Sequence, residues 1–429
     1  MKGDFSRKTF DKKKKYSGVY QQQGRVLLDS DFNEQREITN HFLRSFIKDI
    51  IGPCGAPLKN AGFKIIPSKG GYKIGAGHYY VDGILCVNEN EVQDSSQPNL
   101  PLKKVPVSPS SPKAHSIYLV YLDVWERNIT CLDDCELLEP ALGGADTTTR
   151  TKIIWQIKDQ RIKTRYKKKY ENCSHLFSVP LRISSGKMRA RNAEFNDNQS
   201  VLSPFTGYTG LENRLYRVEI HNGGNSDSSE PLTFKWSNQN GSKAATVAEI
   251  NNDSITIGYR QGSSVLFEEN EWIELTDDRH VLHGMPGSFV RIVEIEDDGI
   301  TFDPSSTYGE SVSRTTYPVK YNPIIRKWDG TKNPIQKVIP SDDSNYISLE
   351  DGIEIQFTEG TYRSGDYWIF PVRQIIGVLW EKEDGLPKFK LPDGIVHHYC
   401  PLALLKYQEN KFILLSDCRK FFPALTELG

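Results

Sequence analysis

One stretch constrains this chain more than any other. Residues 16–55, YSGVYQQQGRVLLDSDFNEQREITNHFLRSFIKDIIGPCG, hold its only long segment that reads as a helix, and nearly everything after it reads as short strands and turns. Asp29, Ser30 and Asp31 crowd the expected start, where short polar side chains accept from free backbone N–H groups. Glu34 follows Asp31 by three residues, the spacing of a capping box, and early acidic residues suit the helix dipole. The apolar set Phe32, Ile38, Phe42, Leu43, Phe46, Ile47, Ile50 and Ile51 thickens toward the end, where adjacent pairs recur every four residues. Gly52-Pro53 stops the helix. So wide an apolar face must pack on something. The commoner destination is the protein's own sheet; the sharper one is a subunit contact, such as a helix around a three-fold axis.

Ahead of the helix, residues 1–26 are polar and basic, with Arg7, Lys8, Lys12, Lys13, Lys14 and Lys15. Such a run is ordinarily a solvated arm. Its functional counterpart is an arm that docks into an acidic groove on a partner. Nucleic acid is not the expected partner, because 54 basic and 55 acidic residues leave a net charge of -1 and no basic excess.

The length of 429 residues suits two or three domains. A hydrophobic fraction of 37% with 11% aromatics fits sheets that pack one face and wet the other. No apolar leader is visible at the N-terminus and the longest apolar runs, such as 117–122, are too short to span a bilayer, so cytoplasmic synthesis without membrane insertion is expected. The seven cysteines show no framework spacing, and most are expected to be ordinary thiols.

Residues 63–87 read as a small antiparallel unit with a tight hairpin at Asp82-Gly83, and 88–113 as a loop or crossing. The clearest strand is 117–130, expected to pair with 151–158 across an acidic loop at 131–146. A second basic patch at 163–170 opens a Ser/Asn-rich insertion reaching 203. From 209 onward short strands follow at the spacing of a sandwich or barrel, and the chain closes on a hairpin turning near Glu409-Asn410. The expected fold class is mainly β, antiparallel and sandwich- or barrel-like, with one N-terminal amphipathic helix and an extended arm. Four consecutive parts are expected: arm plus helix at 1–55, a small β unit at 56–110, a β domain at 111–205 and a sandwich or barrel at 206–429.

No stretch assembles a catalytic, cofactor or metal site, and a non-enzymatic protein without cofactor is expected. Cys131 and Cys135 lack a second pair at zinc spacing, and a disulfide or plain loop thiols suit them better. His397 and His398 would point to opposite faces of a strand; only His398 and Cys400 share one, and the ordinary reading is a core-edge histidine bonded to backbone. The pairs Asp133/Asp134, Asp277/Asp278 and Asp297/Asp298 sit at turns. Seven tryptophans, Trp125, Trp155, Trp236, Trp272, Trp328, Trp368 and Trp380, are expected to be core, with a surface glycan platform as the minority reading.

Several long motifs occur together in order: MKGDFSRKTFD at 1–11, YSGVYQQQGRVLLDSDFNEQ at 16–35, YYVDGILC at 79–86 and YLDVWERNIT at 121–130. They continue with ALGGADTTTRTKIIWQI at 141–157, TGLENRLYRVEIHNGG at 209–224, TFKWSNQNGS at 233–242 and YNPIIRKWDG at 321–330. GTYRSGDYWIFPVR at 360–373 and DGIVHHYCPLALL at 393–405 complete the set. Together these resemble a family of bacterial proteins of unknown function encoded in gene clusters for phage-tail-like contractile injection systems. The chain departs from that pattern at Phe32, where Trp is common, and in the variable region 163–203. The arm, helix and YVDG unit also resemble the head of tail-fibre and baseplate-wedge proteins, which are commonly trimers whose arms dock the fibre.

The resemblance implies a baseplate- or fibre-associated structural component that assembles as a homo-oligomer, a trimer above all, within a contractile particle that stays in the cell or is released. The alternatives are a cargo or effector, expected to be monomeric, and a glycan-binding surface module, expected to expose Trp125, Trp236, Trp328 and Trp368. In the structural reading Phe32, Ile38, Phe42, Leu43, Phe46 and Ile50 supply the assembly face. The basic arm docks and is expected to be removable, as residues 1–26, without unfolding the protein.

Overall fold

The computed structural model describes residues 2–100, 116–162, 173, 184–193, 207–226, 231–260, 267–330, 333–340 and 345–427. The basic patch at 163–170, most of the insertion that follows it and the 101–113 part of the expected loop lie outside the described residues. The chain is mainly β with one long helix, as its patterning predicts. It forms two compact units: Met1–Arg7, Asn128–Thr151 and Arg182–Ile395 make the first, and Lys8–Arg127, Lys152–Leu181 and Val396–Gly429 the second. Neither is a consecutive stretch, so the four consecutive parts drawn from the sequence do not coincide with them.

The second unit carries α1, Asp29–Ile51. Directly after it, Cys54–Pro57 joins a four-stranded sheet in the order Phe421–Phe422, Cys54–Pro57, Gly77–Val81, Ile84–Asn88. Asp82 (φ 48°) and Gly83 (φ 81°) make the two-residue turn between the last two strands, with Val81 opposite Ile84. Positive φ at both positions is what the right-handed strand twist demands. Gly83 is required twice over, since a Cβ there would lie 2.6 Å from the Arg44 carbonyl oxygen of the helix. A second sheet runs Arg150–Arg161, Ser116–Ile129, His398–Gln408, Lys411–Asp417, so the two strands expected to pair are neighbours. Its closing hairpin turns at Glu409 and Asn410, both at positive φ, as expected. The core of this unit is aromatic: Phe63 meets Trp155 edge-on at 5.0 Å between centroids, and Tyr118 meets Phe412 at 5.7 Å. Cys173 and Cys418 are disulfide-bonded, and the other five cysteines, Cys131 and Cys135 among them, are free thiols, in line with the expectation that most are.

The first unit contains a closed six-stranded barrel, ordered Ala244–Ile250, Ser254–Arg260, Gly299–Tyr308, Ser288–Glu296, Trp272–Thr276, Ile324–Trp328. Ile273, Leu275, Val290, Ile292, Phe302 and Ile325 are buried together in its core. Beside it stands a five-stranded sheet in the order Gln336–Lys337, Thr233–Ser237, Arg214–Ile220, Tyr367–Arg373, Gly377–Val378. Tyr216, Val218, Phe234, Trp236, Trp368 and Phe370 form that sheet's apolar core. Because strand residues alternate faces, Arg217, Glu219 and Lys235 fall on its other side; so do Trp272, Glu274 and Trp328 on the barrel strands. Among the described residues, no helix is long and apolar enough to cross a membrane.

Candidate functional site

The helix α1 is fastened by its polar side. Arg44 Nη2 lies 2.8 Å from Glu126 Oε1, and Lys48 Nζ lies 2.8 Å from Asp82 Oδ1. At about 100° per residue, Phe32, Leu43, Phe46 and Ile50 fall within an arc of roughly 60° on the opposite side, with Phe42 about 40° beyond it. Those side chains are turned outward: Phe32 is 59% exposed, Phe42 53%, Leu43 53%, Phe46 63% and Ile50 49%. Of the six residues assigned to the apolar face, Ile38 alone is buried. The commoner expectation, that this face packs on the protein's own sheet, is therefore corrected. The helix turns its ion-pairing side to the protein and its oily side away.

The helix start also differs from expectation. Leu28 is the N-cap and makes no side-chain capping bond, so Asp29, Ser30 and Asp31 already sit in the first turn. There Asp29 and Asp31 still serve the helix dipole. The stop is as expected, with Gly52 at φ 88° donating its N–H to the Lys48 carbonyl.

The arm is not free along its length. From Lys8 it belongs to the helix-bearing unit, where Val19 N donates to Gln35 Oε1 at 2.7 Å and the Phe10 ring lies 5.7 Å from His41. Lys12–Lys14 form a single tight turn capped by Asp11, whose Oδ1 accepts from Lys13 N at 2.9 Å. Arg7, Lys8, Lys12, Lys13, Lys14 and Lys15 are all exposed. Tyr16, Tyr20, Val26 and Leu27 add exposed apolar surface ahead of the helix.

Residues 2 and 3 behave differently. Lys2 Nζ bonds Glu219 Oε1 at 3.0 Å, and the Gly3 carbonyl accepts from Asn240 Nδ2 at 2.6 Å, both inside the first unit. Removal of 1–26 would thus strip one partner from a buried carboxylate, so the start of that segment carries a stabilising contact that its basic run does not.

Lys2 leads into a feature the sequence reading missed. Glu219 and Glu274 are buried among Lys235, Arg217 and His221. Lys235 Nζ lies 2.7 Å from Glu274 Oε1 and 3.4 Å from Glu219 Oε1; Arg217 Nε lies 3.6 Å from Glu219 Oε2, and His221 Nδ1 3.4 Å from Glu274 Oε1. Trp328 roofs this layer, with Lys235 Nζ 4.5 Å and the Arg217 guanidinium 4.8 Å from its ring centre. Burial opposes ionisation of Glu219, but Lys2, Lys235 and Arg217 outweigh it and hold its pKa at about 2. Burial likewise opposes ionisation of Glu274, and Lys235 and His221 hold its pKa well below the usual range. Two carboxylates so firmly ionised cannot act as general acids near neutrality. The layer suits fixing one arrangement of barrel against sheet rather than moving protons. Its sequence signal was ambiguous, since charges at every second strand position also mark a solvated face.

The two histidines do point apart, but each meets a carboxylate rather than the expected backbone. His397 Nδ1 lies 2.7 Å from Asp123 Oδ1, and Asp123 Oδ2 lies 2.6 Å from Lys158 Nζ. His398 Nδ1 lies 2.9 Å from Asp82 Oδ2, beside the oxygen that takes Lys48. Hydrogen bonds from His398, then Lys48, offset the burial of Asp82 and bring its pKa to about 2. Cys400 is buried, with Tyr79 Oη 3.4 Å from its sulfur. Among the described residues, no group of three His, Cys, Asp or Glu side chains is placed to hold a metal ion. Of the four tryptophans that would make a glycan platform, Trp125, Trp236, Trp328 and Trp368, all are buried.

A family model described as "Family of unknown function (DUF6519)" matches residues 1–170 and 175–427. No curated protein matches the chain, and no solved structure does.

Proposed function

The chain belongs to DUF6519, a family of unknown function, and we propose that it is a non-enzymatic structural protein of a phage-tail-like contractile injection particle, baseplate- or fibre-associated, acting by oligomer assembly and docking. The observation that carries the assembly half is the reversed helix. A chain that pays to expose five large apolar side chains on one rigid face does so for an interface. The particle half rests on the ordered motifs from MKGDFSRKTFD to DGIVHHYCPLALL. In this reading the helix joins copies of the chain, a trimer being favoured. The exposed basic arm, Arg7 to Lys15, then docks the oligomer on an acidic surface of a neighbouring particle protein. Synthesis is cytoplasmic and the product is carried in the particle. The glycan-module alternative loses its tryptophan platform, and the cargo alternative leaves the reversed helix without a purpose.

Sedimentation of native particles from a lysate, with this protein followed across the gradient, tests the reading. It is expected to travel with sheath and tube, and imaging then locates it at baseplate or fibre. Recovery only in the soluble fraction would sink the particle assignment.

A further inference from the structure

The seven cysteines end in two chemical states. Cys173 and Cys418 are joined, while Cys54, Cys86, Cys131, Cys135 and Cys400 remain thiols. The division does not follow proximity alone. Cys54, Cys86 and Cys400 share one buried core, and the Cys54 and Cys400 side chains are hydrogen-bonded to each other. Cys135 is exposed and unjoined. A chain that folded among oxidants would meet those thiols before its core had closed over them. Thiols left close together and unjoined mark folding in a reducing compartment, whereas a bond between residues 245 positions apart marks an oxidising one. We propose that the chain folds with all its cysteines reduced and closes Cys173–Cys418 afterwards, on leaving the cytoplasm, so that the finished protein works in an oxidising setting. This rests on the cytoplasmic synthesis of the reading above and adds that the product does not stay there.

Three observations make that order of events workable. First, folding silences the competing thiols. Cys54, Cys86, Cys131 and Cys400 are buried. Burial above all pushes the Cys86 and Cys131 thiols up to about 12, and the Cys400 thiol well above its usual value. The thiolate is the attacking form, so these three are inert once folded. Second, Cys173 is half-buried and within reach of a small oxidant, while Cys418 is 3% exposed. Third, Cys418 is positioned by contacts other than the bond. Its N–H donates to the Leu402 carbonyl, and its side chain packs with Leu119 and Leu404. The Ser416 hydroxyl lies 3.2 Å from the Cys173 sulfur.

The closing step is thiol–disulfide exchange with a small disulfide such as oxidised glutathione. The Cys173 thiol loses its proton to water and attacks one sulfur of the oxidant, releasing a first thiolate. The Cys418 thiolate then attacks the Cys173 sulfur and releases the second. Two protein thiols become one disulfide, and one small disulfide becomes two thiols.

The test uses cells that produce the full chain. Cytoplasm is separated from everything outside it, thiols are trapped at once with acid and N-ethylmaleimide, and peptide mapping reads each cysteine. Cytoplasmic protein is expected to carry the label on both Cys173 and Cys418, and protein outside to carry them joined, with the other five labelled in both pools. A bond already closed in the cytoplasm, both residues labelled outside it, or no protein outside it would each overturn the inference. The purified chain gives a second readout. In a Cys135→Ser background, fully reduced and then given oxidised glutathione while folded, it should form one protein linkage, Cys173 to Cys418. A linkage between Cys54 and Cys400 instead would also overturn the inference. If the bond follows exit from the cytoplasm but the protein sediments apart from sheath and tube, this inference stands and the particle reading falls. Co-sedimentation of a protein that stays reduced does the opposite.

Discussion

Lys48 Nζ meets Asp82 Oδ1 at 2.8 Å, joining the last turn of α1 to a hairpin turn whose other carboxylate oxygen meets His398 at 2.9 Å. Asp82→Asn is expected to loosen the helix from its sheet. The pair is partly exposed, so the loss of stability should stay near or below about 1 kcal/mol. Hydrogen exchange should show it, with faster exchange confined to the last turns of α1. Asp82 has a folded pKa of about 2, below the ordinary carboxylate value. Its contribution is therefore complete above about pH 4 and is lost as pH falls toward 2.

The buried ionic layer predicts a much larger effect. Glu274→Ala leaves Lys235 charged and without its nearest partner, which should cost about 3–5 kcal/mol. Urea unfolding checks this through a lowered midpoint. Glu274→Gln, which keeps a hydrogen-bonding side chain, should lose less. Both Glu219 and Glu274 titrate below their ordinary range, so wild type should lose stability as pH falls below about 4. The Gln variant should show a flatter acid profile. Identical acid profiles would remove Glu274 from the account.

The two parts of the arm should separate by mutation. Lys2→Ala removes a partner of Glu219 and should lower the melting temperature by a few degrees. Replacing Lys12, Lys13, Lys14 and Lys15 by Ala should leave melting unchanged, because these side chains are exposed. That variant should instead reduce recovery with particles, and the wild-type association should weaken with salt, as charge docking does. Salt-independent association would show that the arm docks by other means.

Reduction of the Cys173–Cys418 bond, or Cys418→Ser, should lower the stability of the helix-bearing unit by about 2–4 kcal/mol, since it closes a loop of 245 residues. Denaturant midpoints with and without reductant give the number. Non-reduced peptide mapping confirms the pairing first.

What the sequence made legible was local. Asp82-Gly83 and Glu409-Asn410 announce their turns because few residues accept positive φ, and the 116–129 strand announces itself by its richness in β-branched and aromatic residues. The helix was equally plain, yet its orientation was not. Spacing fixes how wide a face is, whereas contacts distant in sequence, the ion pairs of Arg44 and Lys48 and the burial of Ile38 among them, go with the side that meets the protein. The ionic layer escaped because Arg217 and Glu219 look like wet positions until a barrel covers them. The Cys173–Cys418 bond and the pairing of His398–Gln408 with Ser116–Ile129 escaped for another reason: both join residues hundreds of positions apart, and nothing local records them.

That last pairing has a consequence for synthesis. When the ribosome has made some 390 residues, every strand of the barrel and its neighbouring sheet already exists, while the central partner of Ser116–Ile129 does not. The unit that holds α1 must wait for His398–Gln408 to emerge. The sticky helix is thus translated almost first, while the unit that carries it is completed almost last. Nascent chains crowded on one message carry it in an unfinished setting, where premature pairing is the hazard and a holding chaperone the natural remedy.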